Sequence, residues 1–346
     1  MNRYRIITFF VLILMIIVSL VGYRIYENTY DRISDRNQYI FIPKGSDFSD
    51  VIEILDSAAL IKNKNLFQFI AKKKKFTESR VIPGRYEITP NMNLYDLIDQ
   101  LKIGDTCPIT VDLRKIQNVE DIAETLSKQL ELDGAEFLKS VEDTTFLKRI
   151  GFTKNEIPML FIPQVYELYW GWSAESVRDL FYENYLLFWD EARINKANKL
   201  NLNAKEIHIL ASIVNKETYF YSEYSTIAGL YYNRIKKNML LQSDPTIIYT
   251  IKENEPNRNI KRVLYRDLKI DSPYNTYLYK GLPPGPISIP KARVIDATLN
   301  LESHNYIFMC AQSNMGGKHV FAETMEEHEE NAISYQMILD SLRVNR

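Results

Sequence analysis

The chain has 346 residues, 46% hydrophobic and 25% charged, which excludes a disordered or fibrous polymer and leaves room for two domains beside an anchor. Lys and Arg total 43 against 44 for Asp and Glu; a formal net charge of -1 gives no basic field to hold a phosphate backbone, so nucleic acid is not an expected partner. Two cysteines, Cys107 and Cys310, and four scattered histidines form neither a disulfide framework nor a zinc motif, so no metal is expected.

Ile6 to Tyr23 (IITFFVLILMIIVSLVGY) carries no charge and approaches the ~20 residues of a membrane-spanning helix. It is apolar all round, whereas the core helix of a soluble domain usually keeps a polar stripe. A cleaved signal peptide fits less well, because the run is long for a signal core and no small-residue cleavage site follows. Arg3 and Arg5 precede the span, and Arg24 and Arg32 after it are offset by Glu27 and Asp31. The slight basic excess directs the amino terminus inwards and the rest of the chain outside the cytoplasmic membrane. Residues 1–24 are thus the expected cytoplasmic terminus and anchor, and polar residues 25–38 a stalk.

Residues 39–105 read as a small α+β module. Tyr39 to Pro43 makes a short strand and Lys44-Gly45-Ser46 a turn. Val51, Ile52, Leu55 and Ala59 recur at helical spacing behind Ser46 or Asp47 as N-cap. A second helix follows over Asn65 to Lys73, a turn and strand over Pro83 to Ile88, and a third helix from Leu94 to Leu101 stopped near Gly104. Residues 106–160 are a connecting segment, with a strand over Ile109 to Leu113 and then amphipathic helices. Residues 161–346 form a larger helix-rich unit with long loops. The segment Leu268 to Pro290 is too rich in Pro, Gly, Tyr and Asn for helix or regular strand, and its tyrosines argue against disorder. The fold class is α+β.

One carboxylate stands out. Asn203 to Glu206 opens a helix with a capping box, and Ile207, Leu210, Ala211 and Val214 share one face. Glu217 falls on the edge of that apolar stripe, where a charge is unexpected. Helical phase leaves two readings open: the side chain ends the helix in water or pairs with a base such as Arg234, or it is half-buried, holds its proton near neutral pH, and serves as a general acid. Ordinary glycosidases use two carboxyl groups. Glu223 is six residues further on and reads as a surface or cap residue; Asp244, before Pro245, reads as a turn.

The blocks around these residues keep a distinctive order. They are Leu210-Ala211-Ser212-Ile213-Val214-Asn215-Lys216-Glu217-Thr218, Ile227-Ala228-Gly229-Leu230-Tyr231-Tyr232-Asn233-Arg234-Ile235, Met239-Leu240-Leu241-Gln242-Ser243-Asp244-Pro245-Thr246-Ile247-Ile248-Tyr249, Ser272-Pro273-Tyr274-Asn275-Thr276-Tyr277 and Gly281-Leu282-Pro283-Pro284-Gly285-Pro286-Ile287. In this the chain resembles the endolytic murein transglycosylase (MltG, YceG-like) family. With the anchor, and with a 39–105 module that looks LysM-like, the resemblance covers nearly the whole chain. Two departures stand out: Asn215 occupies the place of an earlier acid in the first block, and Val165 replaces a threonine in the family's upstream segment.

The resemblance implies a lytic transglycosylase that cuts the β-1,4 bond between N-acetylmuramic acid and N-acetylglucosamine within nascent peptidoglycan strands and so ends their elongation. Glu217 is the implied acid/base. It protonates the bridging oxygen, the substrate's own acetamido group shelters the charge on the sugar, and Glu217 then takes the proton of the C6 hydroxyl as a 1,6-anhydro ring closes. The nucleophile is intramolecular, so one carboxyl suffices and no cofactor is needed. Gln242, Asp244, Thr246, Asn275 and Thr276 are the implied polar lining of the cleft, with Tyr249, Tyr274 and Tyr277 as sugar platforms or core. Trp170, Trp172, His319 and His328 are weaker candidates for such contacts. Implied partners are peptidoglycan strands, peptidoglycan synthases and, through the first helix, the inner membrane. A scaffold that binds peptidoglycan without cutting it and a hydrolytic muramidase are the alternatives.

Overall fold

The computed structural model describes residues 2–341 except 79, 261 and 315. The architecture is α+β, helix-rich, with three two-stranded sheets among the described residues. By chain packing it divides into two units. One runs to Val111 and takes in Thr125–Gly134 and Tyr166–Ala174; the other comprises Asp112–Glu124, Ala135–Val165 and the chain from Glu175 onward.

The first unit begins with α1 (Asn2–Tyr30). Its Tyr4–Tyr30 stretch is long and apolar enough to cross a membrane. The helix runs through the first part of the segment expected to be a stalk, since no Gly or Pro between Tyr23 and Tyr30 breaks its hydrogen bonds. β1 (Gln38–Ile42), α2 (Phe48–Ser57), α3 (Lys64–Lys73), β2 (Gly84–Ile88), α4 (Leu94–Ile103) and β3 (Ile109–Asp112) follow. β1 and β2 pair antiparallel with Ile40 opposite Tyr86, and their alternation turns Ile40, Ile42, Tyr86 and Ile88 inward. Val51 and Leu55 of α2, Phe67 and Ile70 of α3, and Leu97, Ile98 and Leu101 of α4 close this core. Asp47 and Asn93 cap α2 and α4 with capping boxes, and Gly104, at φ 77°, ends α4 in the left-handed region. The Tyr30 and Tyr95 rings stack 5.8 Å apart, joining the end of α1 to α4.

α5 (Val119–Gln129), α6 (Gly134–Val141) and α7 (Thr144–Ile150) fill the connecting segment, before β4 (Val165–Leu168) pairs with β3. Trp170, against the Phe41 ring, and Trp172, against Tyr169, belong to the first unit.

The second unit contains α8 (Ala174–Phe188) from Glu175 on, then α9 (Glu191–Lys199), α10 (Ala204–Glu217), α11 (Tyr224–Lys236), α12 (Asp244–Asn254), α13 (Ala292–Leu299), the hairpin β5 (Phe308–Ala311) and β6 (His319–Ala322), and α14 (Met325–Ser341). α10 lies at its centre, packed by α9, α11, α12 and α13. Residues Ile207 to Asn215 are therefore buried all round rather than on the single expected face. Polar members of that run are absorbed by the loop before α13: Ser212 Oγ accepts from the Ile287 N–H at 3.1 Å, and Ser288 Oγ donates to the Ser212 carbonyl at 3.3 Å. Leu268 to Pro290 contains one short 3₁₀ turn and no other helix or strand, yet Ile287 to Pro290 are buried. Gly285 sits so near the Asn155 carbonyl that a Cβ would lie 2.2 Å from its oxygen, which requires glycine there.

Candidate active site

α10 ends at Glu217, and at Thr218 the chain turns into extended backbone (φ -143°, ψ 152°), leaving the Glu217 carboxyl at the helix end. Two hydroxyls converge on one of its oxygens. Tyr231 of α11 donates to Oε1 at 2.5 Å, and Ser243, just ahead of α12, donates to the same Oε1 at 2.5 Å. Oε2 has no hydrogen bond among the described residues. Burial pushes the Glu217 carboxyl above its ordinary value. The Ser243 and Tyr231 hydroxyls pull it down, Asp244 pushes it further up, and the net shift is upward. Arg234 does not pair with it: the guanidinium donates to the carbonyls of Ile307, Leu240 and Leu241 and to Gln242 Oε1, clipping the turn before α12 to β5.

Glu217 opens on a cavity of about 250 Å³, lined also by Tyr231, Arg234, Gln242, Asp244, Tyr277 and His319 and by the β5 residues Met309 to Ala311. Gln242 is held at φ 51°, a left-handed conformation uncommon for a residue with a side chain. Its N–H donates to the Thr276 carbonyl at 3.0 Å. The Tyr277 hydroxyl donates to Asp244 Oδ1 at 2.6 Å across the rim.

Of the site residues expected from sequence, Glu217, Gln242, Asp244 and Tyr277 come together here. Thr246, Asn275 and Thr276 do not line the cavity: they are buried and bonded within the chain. Thr276 Oγ1 accepts the Ser243 N–H at 3.0 Å and lies 2.9 Å from Thr246 Oγ1. The Asn275 amide donates to the Leu268 and Ile270 carbonyls and its oxygen accepts the Tyr277 N–H. Their polarity is spent holding the loop that carries Ser243 and Tyr277. Tyr249 and Tyr274 lie against each other, ring centroids 4.7 Å apart, and Tyr249 lines a second cavity of about 620 Å³. Lys216 and Pro245, the chain neighbours of Glu217 and Asp244, line that cavity too, so both openings flank the same ends of α10 and α12.

A family model described as the YceG-like family matches residues 40–334. The chain belongs to the YceG-like family. It is 28% identical over 318 residues to a Bacillus subtilis protein named endolytic murein transglycosylase, covering 86% of this chain and 84% of that one. It is 26% identical over 361 residues to a Streptococcus pneumoniae protein of the same name, covering 94% of this chain but 64% of the relative. The crystal structure of a YceG-like protein from Listeria monocytogenes superposes with a TM-score of 0.55 at 28% identity, covering 86% of this chain and 99% of that one.

In this YceG-like chain, sequence reasoning missed Tyr231 and Ser243, which lie 14 and 26 residues from Glu217 and meet it only through the packing of α10, α11 and the turn before α12. It also misjudged Glu223. That residue is 5% exposed, makes no side-chain cap to α11, and instead bonds to Thr218 and His319. His328, stacked on Phe308, does not line the Glu217 cavity. Cys107 and Cys310 are free thiols, and among the described residues no three His, Cys, Asp or Glu side chains gather as a metal site.

Proposed function

We propose that the chain is an endolytic peptidoglycan transglycosylase in which Glu217 is the acid/base. The observation that carries this reading is the asymmetry of that carboxyl group. With Oε1 taken by two hydroxyls, the proton resides on Oε2 and is available to the cavity. Burial raises the affinity for that proton, as a general acid working near neutral pH requires. The acid delivers it to the bridging oxygen between N-acetylmuramic acid and N-acetylglucosamine, and the C1–O bond breaks. The acetamido oxygen of the same muramoyl unit covers C1, and the C6 oxygen then displaces it as its hydrogen passes to the Glu217 carboxylate. The acid is regenerated and a 1,6-anhydro end is left.

Gln242, Asp244 and Tyr277 contact sugar at the cavity wall, while Thr246, Asn275 and Thr276 hold that wall in place. Two openings flanking one helix end suit a polymer that runs past the scissile bond. The 39–105 module is LysM-like in role and binds the strand, and residues 161–346 form the catalytic part. α1 anchors the chain in the cytoplasmic membrane with the amino terminus inside, so that cleavage falls on nascent strands beside the synthases. The test is to incubate the full chain with polymerised, uncrosslinked glycan and weigh the products. Anhydro ends, one water lighter than reducing ends, are expected, and Glu217→Gln lowers their yield by at least about 1,000-fold while unfolding at the same temperature. Reducing ends in place of anhydro ends mean a hydrolase, and intact strands mean a binding scaffold.

A further inference from the structure

The mechanism above leaves the buried carboxylate of Glu223 unused. Glu223 lies in the short 3₁₀ turn before α11 and accepts three hydrogen bonds: from the His319 backbone N–H at 2.8 Å, from the Thr218 hydroxyl at 2.8 Å and from His319 Nδ1 at 3.2 Å. Burial pushes Glu223 up, but these donors outweigh it and hold the carboxyl below its ordinary range, so it is ionised. An ionised carboxylate can only accept, so Nδ1 must carry the hydrogen, and in the neutral ring Nε2 is then an acceptor. Nε2 has no hydrogen bond among the described residues, and His319 lines the same cavity as Glu217. One carboxylate thus pins the residue after Glu217 and a ring that faces the same substrate.

We propose that His319 contacts the reacting sugar through Nε2, accepting the N–H of the acetamido group beside C1, with Glu223 as its positioning residue. This rests on the reading of Glu217 as the acid. As the acetamido oxygen bonds to C1 and the C1–O bond to the leaving sugar breaks, positive charge spreads onto the acetamido nitrogen. Its N–H becomes a stronger donor, so an acceptor backed by a carboxylate binds it more tightly in the transition state than in the ground state. No proton passes to the ring. The leaving oxygen takes its proton from Glu217, and the C6 hydroxyl later returns one to Glu217.

The experiment compares the full chain, His319→Ala and Glu223→Gln on uncrosslinked glycan with intact muramoyl acetamido groups and on the same glycan with those groups removed. His319→Ala leaves Glu223 two of its three donors, so the fold survives, which thermal unfolding checks. Glu223→Gln presents an amide N–H to Nδ1 and moves the ring hydrogen to Nε2, converting acceptor to donor; ¹⁵N shifts of the imidazole report the exchange. On acetylated glycan both variants lose roughly 100-fold in kcat with KM little changed. On de-N-acetylated glycan the parent slows, and neither variant slows it further. Equal losses for a folded His319→Ala on both glycans, or a kcat unchanged by Glu223→Gln, overturn the proposal. A parent chain that cuts neither glycan overturns the reading of Glu217 instead.

Discussion

Two oxygens of one carboxyl group, in different surroundings, set what Glu217 does. Hydroxyl donors favour its charged form, so removing one raises the proton affinity further. Tyr231→Phe and Ser243→Ala are each expected to move the alkaline limb of the pH–rate profile to higher pH, because the acid keeps its proton longer as pH rises. Rates at neutral pH fall as orientation loosens, on the order of 10-fold. His208 acts on stability instead. It is fully buried, neither ring nitrogen has a hydrogen-bond partner among the described residues, and burial lowers it to about 3. Its folded value is below the ~6.5 of the unfolded chain, so its neutral form costs no proton-linked stability above pH ~6.5. As pH falls from there towards 3, the unfolded state gains a proton that the fold refuses, removing about 2 kcal/mol by pH 5. Urea midpoints measured at pH 7.5 and pH 5 should converge in His208→Met compared with the parent. Glu217 stood out in sequence because a charge at the edge of an apolar stripe is a local anomaly, while helical phase left open whether the side chain is in water or half-buried. Tyr231 and Ser243 were not, because their place beside it depends on how three separate segments pack. Thr246, Asn275 and Thr276, expected to line the cleft, are buried for a related reason: a loop without regular structure must satisfy its own backbone, and polar side chains do that out of sight.

Helix α10 carries Glu217 at its end and is enclosed by α9, α11, α12 and α13. The loop after α13 leaves no space for a methyl group on α11. A Cβ at Gly229 would meet the Glu302 carbonyl at 2.5 Å and the His304 ring at 2.7 Å. Gly229→Ala, a favourable change in an open helix, is therefore expected to destabilise by about 1–3 kcal/mol, read as a lower denaturant midpoint at unchanged slope. The capping signals at Asp47 and Asn203 made two helix starts readable, since those side chains bond backbone N–H groups two or three residues on. The loop before α13 was readable only as neither helix nor strand. Its course is set by Ser212 and Ser288 and by the contact at Gly285, which no periodicity encodes.

Over the whole molecule, the helix segment Tyr4–Tyr30 spans 27 residues. At ~1.5 Å per residue that is about 40 Å, against ~30 Å of bilayer hydrocarbon, long enough to cross with roughly two turns to spare. The full chain is expected to remain with membranes through alkaline wash, and Leu14→Arg, near mid-span, to reduce the membrane-bound fraction several-fold, at a cost of about 2.5–3.5 kcal/mol. The long apolar helix was the most legible part of the sequence, since composition alone reveals it. The interleaving of the two units was invisible. Lys44 in the first turn of the small core donates its N–H to the Glu131 carboxylate at 2.9 Å and its ammonium to the Trp172 carbonyl at 3.1 Å, while Phe41 meets the Trp170 ring. These partners come from segments far along the chain, Thr125–Gly134 and Tyr166–Ala174. During synthesis, then, the edge of the small core that carries Phe41 and Lys44 stays uncovered until Ala174 has emerged from the ribosome, and a chain arrested shortly after Thr106 offers that edge to any protease it meets.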